Sequence, residues 1–178
     1  MNLDRSTLAR RIYDTSHITG QFRLRSGTLS EEYFDKYLFE SDPALLREIA
    51  LHLRPLIPQG TEALAGLELG GVPLATMLSQ VTSLPLLLVR KKAKEYGTCK
   101  LAEGCAIKDR RLLIVEDVVT TGGQIVASAK ELRQLGARIC GVVCVIDRQA
   151  GATDNLKAEG LEFLPLFTMS EIKSLAGS

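Results

Sequence analysis

The sequence predicts an α/β protein with a central parallel sheet flanked by helices. Three observations carry that expectation. Short runs such as "ALAGLEL" (63–69), "LPLLLVR" (84–90), "RLLIVED" (111–117) and "ARICGVVCVIDR" (137–148) are apolar at successive positions. Strands buried on both faces read this way, because neither set of alternate side chains meets water. Stretches of helical period separate them. Strands that alternate with helices imply right-handed crossovers and a sheet covered on both sides.

The elements follow in chain order. Residues 2 to 15 read as an amphipathic helix, with Leu3, Leu8, Ile12 and Tyr13 loosely on one face. "SHITGQFRLRSGTLSEEYFDKYLF" (16–39) alternates in places and holds Gly20 and Gly27, which predicts short strands joined by turns. "SDPALLREIALHLRPLI" (41–57) is a helix, capped by Ser41 or Asp42 with Pro43 in its first turn. The strand at 63–69 runs into Gly70 and Gly71, and "VPLATMLSQVTS" (72–83) is the helix that follows. After the strand at 84–90, "KKAKEYGTCKLAEGCAIKDR" (91–110) is polar and without a steady period, so it reads as a long loop. The strand at 111–117 leads into the helix "GQIVASAKELRQLG" (123–136), for which Gly136 is the expected C-cap. The strand at 137–148, a short helix or turn at 152–160, a last strand at 161–167 and a terminal helix at 168–176 complete the chain.

A chain of 178 residues fits one domain, 1–178. Its net charge of +1 gives no global basic field, which argues against nucleic acid as a partner. The first residues carry scattered charges and no apolar core, unlike a signal peptide, and the apolar runs are too short to span a bilayer. Cys99, Cys105, Cys140 and Cys144 form no C-x-x-C pair and lie far from His17 and His52 in the sequence, which argues against a zinc site. Cys140 and Cys144 are expected in the core, Cys99 and Cys105 as exposed thiols. Free thiols suit a reducing cytosol, so a cytoplasmic protein is expected.

Ligands of such sheets bind beyond the carboxyl ends of the strands. The unusual polar residues fall there. In "RRLLIVEDVVTTGGQ" (110–124) an apolar strand runs into Glu116 and Asp117, then into Thr120, Thr121, Gly122 and Gly123 at a helix start. Adjacent carboxylates repel and cost desolvation if buried. One could cap the helix and the other face solvent. The residues that follow give the pair a ligand instead. Free N–H groups and the helix dipole favour an anion, glycines allow close backbone approach, and threonine hydroxyls donate further bonds. Acceptors followed by anion-binding donors are what a phosphorylated sugar needs. Neither a G-x-x-x-x-G-K-[ST] loop nor a G-x-G-x-x-G fingerprint is present.

"LLIVEDVVTTGGQ" resembles the 5-phosphoribosyl 1-diphosphate (PRPP) motif of the type I phosphoribosyltransferases. That resemblance implies the fold of that family, with a small N-terminal hood near residues 1–40, a core near 41–165 and a flexible catalytic loop near 91–108. It assigns Glu116 and Asp117 to the ribose hydroxyls, and Val118, Val119, Thr120, Thr121, Gly122, Gly123 and Gln124 to the 5-phosphate. Three further segments resemble the orotate phosphoribosyltransferases. "VRKKAKEYGTCK" is similar to their cationic loop, with Arg90, Lys91 and Lys94 at its cations and Tyr96 where histidine is usual. By itself such a run reads as a solvated loop. "FRLRSGTLSEEYFDKY" is similar to the segment that closes over the base, with Arg25 in place of a common lysine, and Tyr33 and Phe34 near the base. "VIDRQAGATDNL" is similar to a third, with Gln149 replacing an acid. Arg148 is either a surface ion-pair partner of Asp147 or Asp154, or the guanidinium that reads orotate. "GLELGGVPLA" falls at the diphosphate loop, with Gly70 where many relatives carry lysine.

The resemblance therefore implies an Mg²⁺-dependent enzyme that joins PRPP and orotate. PRPP would contact Arg90, Lys91, Lys94, Tyr96 and residues 116–124, and orotate Arg25, Phe34, Thr120 and Arg148. Lys94, Asp117 and Glu116 are the catalytic candidates. Mg²⁺ would ride on PRPP without a dedicated protein cage, helped by Glu116 and Asp117. A homodimer sharing the loop is implied as well. Two rivals are a phosphoribosyltransferase for another base, and a non-catalytic PRPP sensor that binds nucleic acid.

Overall fold

The structure is a computed structural model, and it describes residues 3–23, 27–92 and 100–177. Lys94, Tyr96, Cys99 and Arg25 lie outside the described residues.

Helix α1 (Arg5–Ser16) is capped by Asp4, whose side chain accepts from the Thr7 N–H. It leads into an antiparallel hairpin of β1 (His17–Arg23) and β2 (Leu29–Phe34). The strand-like alternation predicted up to residue 39 stops at Asp35. There the carboxylate takes the Tyr37 N–H and starts α2 (Lys36–Ser41). An acceptor at the N-cap satisfies an orphan donor and tips the balance to helix. Asp42, of the two predicted candidates, caps α3 (Pro43–Leu53), accepting from the Ala44 and Leu45 N–H groups.

The core sheet has six strands: β3 (Ala63–Leu67), β4 (Leu86–Val89), β5 (Ala102–Gly104), β6 (Arg111–Val119), β7 (Arg138–Asp147) and β8 (Phe163–Thr168). Their order is β5-β4-β3-β6-β7-β8, parallel throughout except for the β4–β5 pair. The remaining helices are α4 (Gly71–Thr82), α5 (Gly123–Gln134), α6 (Ala152–Ala158) and α7 (Met169–Ala176). The stretch read as one long loop at 91–110 thus contains an antiparallel edge strand. Leu101 and Ala102 are buried against the sheet, while the polar residues around them hide the strand from any period.

Strand β6 shows why the strands read as continuous apolar runs. Leu113 and Val115 pack into one core with α1, α2, α3, α4 and α7. Leu112 and Ile114 pack into the other, against α5 and α6. Period-two alternation puts both sets under cover. Cys144 is fully buried and Cys140 packs against the first core, as predicted. Cys105 is half-buried against the second core rather than exposed, because β5 pulls it onto the sheet.

Candidate active site

The parallel strands end on one edge, and those predicted residues that are described at the ends of β4, β6 and β7 lie there. Strand β6 runs two residues beyond the predicted end, to Val119, so Glu116 and Asp117 are part of the strand. Successive strand residues point to opposite faces, and the two acids accordingly have different surroundings.

Glu116 lines a cavity of about 240 Å³ together with Val118, Val119, Thr120, Thr121, Gly122, Gly123, Gln124 and Ile125. Gly122 has φ 77° at the N-cap of α5, a conformation that suits glycine. The turn opens the first N–H groups of α5, with no side chain capping them, as an anion site requires. Asn155 of α6 braces the turn by donating to the Thr121 carbonyl at 3.0 Å.

Asp117 is 1% exposed and does not line that cavity. One of its carboxylate oxygens accepts from the Val118 N–H and the other from Lys36 Nζ, the latter at 2.5 Å. Its place exists because position 70 is glycine. A Cβ on Gly70 would fall 1.4 Å from Asp117 Oδ2 and 3.0 Å from Glu40 Oε1. A lysine at position 70 is therefore incompatible with this packing, which accounts for the departure seen in the sequence.

Lys36 and Glu40 sit one turn apart on α2, a spacing that places both on one face. Lys36 reaches Asp117, Glu40 lies beside it with Oε1 buried and unbonded among the described residues, and sequence reasoning missed both. The signal available was Asp35 as a cap, followed by residues four apart. Burial and the adjacent Asp117 push the Glu40 carboxyl up to about 9. Burial and Asp117 likewise push Glu116 up to about 8. For Lys36 burial works downward, but the hydrogen bond and charge of Asp117 outweigh it and hold the ammonium above the ordinary lysine range. Both shifts favour the neutral carboxyls in the free protein, which relieves the crowding of three adjacent acids.

A second cavity, of about 410 Å³, lies beside the first. Phe34, Tyr33, Thr120 and Arg148 line it together. Tyr13, His17, Glu32 and Lys173 also line it, and sequence reasoning did not single them out for it. They come from α1, the hairpin and α7, so only the tertiary fold brings them together. Glu32 ties them by accepting from Lys173 at 3.3 Å and pairing with His17 at 2.9 Å. Arg148 is exposed and makes no ion pair among the described residues, so neither Asp147 nor Asp154 claims it. Asp147 instead accepts from the Gln149 N–H.

A third space, of about 330 Å³, connects these parts. It is lined by Tyr33, Phe34, Lys36, Val118, Thr120 and Arg148. Thr120 borders all three. Arg90 and Lys91 stand at the end of β4, where the Lys91 N–H donates to Glu68 at 2.6 Å. The Glu68–Leu69 peptide is cis. Among the described residues no group of three or more His, Cys, Asp or Glu side chains is placed to hold a metal ion. Of the two adjacent acids, Glu116 lines the cavity, while both Asp117 oxygens are engaged by Lys36 and the Val118 N–H.

Fold and site together define an α/β protein built to hold a phosphosugar next to a planar ring. Comparison with known proteins narrows this. The phosphoribosyl transferase domain family matches residues 42–159. An orotate phosphoribosyltransferase of Nocardioides sp. is 53% identical over 172 residues, 97% of this chain and 96% of that one. One from Pyrococcus horikoshii is 44% identical, over 89% of this chain and 87% of its own. Among solved structures, Mycobacterium tuberculosis orotate phosphoribosyltransferase in complex with PRPP superposes with a TM-score of 0.83 at 26% identity, covering 96% of this chain and 99% of that one. The chain belongs to the phosphoribosyltransferase family, on its orotate phosphoribosyltransferase branch.

Proposed function

We propose that the protein transfers the 5-phosphoribosyl group of PRPP to orotate, giving orotidine 5-phosphate and diphosphate, a step of pyrimidine nucleotide synthesis. The observation that carries this reading is the shared wall at Thr120. A ring-sized cavity, with an arginine that makes no ion pair among the described residues, opens through one residue onto a glycine-rich helix start beside a carboxyl. Orotate carries a carboxylate, for which the Arg148 guanidinium fork is suited, and its ring would lie against Phe34. The 5-phosphate would rest on the N–H groups of residues 120–124.

Bond breaking at the anomeric carbon creates oxocarbenium character. A negative group close to the ribose stabilises it, and cations stabilise the departing diphosphate. Glu116 faces the cavity and is assigned to the ribose hydroxyls. Asp117 works from behind it, and Arg90 and Lys91 flank the leaving group. Mg²⁺ held by PRPP would neutralise charge on the departing diphosphate, with Glu116 and Asp117 assigned to assist it. Lys94 and Tyr96 are assigned to the diphosphate and Arg25 to the base. Closure of their segments would exclude the water that otherwise hydrolyses PRPP. A cytoplasmic homodimer that shares the cationic loop completes the proposal.

The test is product identification. The protein is incubated with PRPP, Mg²⁺ and orotate, and the products are read by mass spectrometry, with a chelator control. Orotidine 5-phosphate and diphosphate in equal amounts, lost on chelation, are expected. Ribose 5-phosphate alone would overturn the assignment.

A further inference from the structure

Lys36 has no role in the reading above, yet it stands at its centre. Its ammonium lies 2.5 Å from Asp117 Oδ2. Its side chain is 32% exposed, while that of Asp117 is 1% exposed. The lysine is therefore the outer member of the pair. It forms part of the wall of the space shared by Phe34, Thr120 and Arg148. Behind it, Asp117 fills the notch left by Gly70 at the turn into α4. The ammonium thus marks a point between the base cavity and the carboxylate pair. In the proposed reaction, that is where the bond between the anomeric carbon and diphosphate breaks.

We infer that Lys36 is a diphosphate-binding residue, aimed at the leaving group by Asp117. The inference rests on the proposed reaction for its ligand. An ammonium has three donors, and Asp117 uses one of them in this structure. Among the described residues no other hydrogen bond takes up the rest, which leaves donors for an anion entering the connecting space. A carboxylate at its back fixes a flexible side chain before the substrate arrives, which lowers the ordering cost of binding. Arg148 lines the same space and is left for the base. The two cations line one space, and Lys36 is the one tied to Asp117.

The experiment measures binding of Mg²⁺-diphosphate by calorimetry and the KM values of PRPP and orotate, for wild type, Lys36→Met and Lys36→Arg. Melting temperatures confirm that each variant is folded. Lys36→Met is expected to weaken diphosphate and raise the PRPP KM roughly tenfold to a hundredfold, the loss of a hydrogen bond to a charged group. The orotate KM should stay within about twofold, well below the cost of one charged contact. Lys36→Arg should recover most of the diphosphate affinity. Unchanged diphosphate binding in Lys36→Met would overturn the inference. So would equal losses in both variants, which would show packing against Asp117 to be the role, or a rise confined to orotate. Because diphosphate binding needs no turnover, a protein that fails to use orotate would refute the proposed reaction while leaving this test readable.

Discussion

Gly70 and Asp117 occupy the same space: a Cβ on Gly70 would lie 1.4 Å from Asp117 Oδ2. Gly70 has φ −67°, which any residue adopts, so glycine is needed here for room and not for backbone freedom. The turn before α4 and the end of β6 are therefore fitted to each other, and α2 closes the notch with Lys36 and Glu40.

Gly70→Ala should consequently displace the Asp117 carboxylate by an ångström or more and take Lys36 with it. A misplacement of that order costs about a hundredfold in rate. The measurement is kcat/KM for PRPP alongside a melting curve. Full activity would mean that the notch can widen without consequence.

Asp117→Asn keeps the shape but removes the charge that holds Lys36. Turnover should fall strongly, by about a hundredfold or more, as for loss of a preorganised electrostatic contact. Circular dichroism should show the fold retained. Near-normal steady-state turnover would refute any role for this acid in the site.

Glu40 gives the free protein a pH signature. Its carboxyl is raised to about 9 in the folded protein, by burial and by Asp117, against 4.5 for the free group. Between those values the folded state holds a proton that the unfolded chain has released. Stability from this group is thus complete below about pH 4.5 and is lost as pH rises toward 9. Glu116, raised to about 8, acts in the same direction. Glu40→Gln keeps the neutral, hydrogen-bonding form at every pH. Its melting temperature should fall less than that of wild type between pH 6 and 9. Parallel curves would show that Glu40 is not the titrating group.

Arg148→Ala should raise the orotate KM roughly tenfold to a hundredfold, with little effect on PRPP, because one charge-assisted contact is lost. Arg148→Lys should recover only part of it, since a point charge does not reproduce the planar fork. Kinetics with each substrate varied in turn separate the two effects.

The sheet was legible because burial on both faces leaves strands no polar positions. "RLLIVED" and "ICGVVCVI" could hardly be anything else between helical stretches. The turn at the start of α5 was legible for a related reason: Thr120 to Gly123 combine residue types that favour a tight loop and leave the helix start open. Helix α2 was not. "YFDKYLF" alternates like a strand, and only the Asp35 side chain at its cap decides otherwise. With α2 misread, Lys36 and Glu40 had no common face and stayed invisible as site residues. Strand β5 was hidden because three residues are too few to show a period. The further wall of the larger cavity beside Thr120 (Tyr13, His17 and Lys173) joins residues more than 150 positions apart, beyond the reach of any local pattern.

The most direct test of the account is the initial rate of base consumption by the wild-type protein with PRPP and Mg²⁺, followed by absorbance for orotate, with uracil and hypoxanthine in parallel. Consumption of orotate alone is the predicted result. No consumption of any base, with PRPP still bound, would contradict it and leave a site that holds PRPP without reacting it.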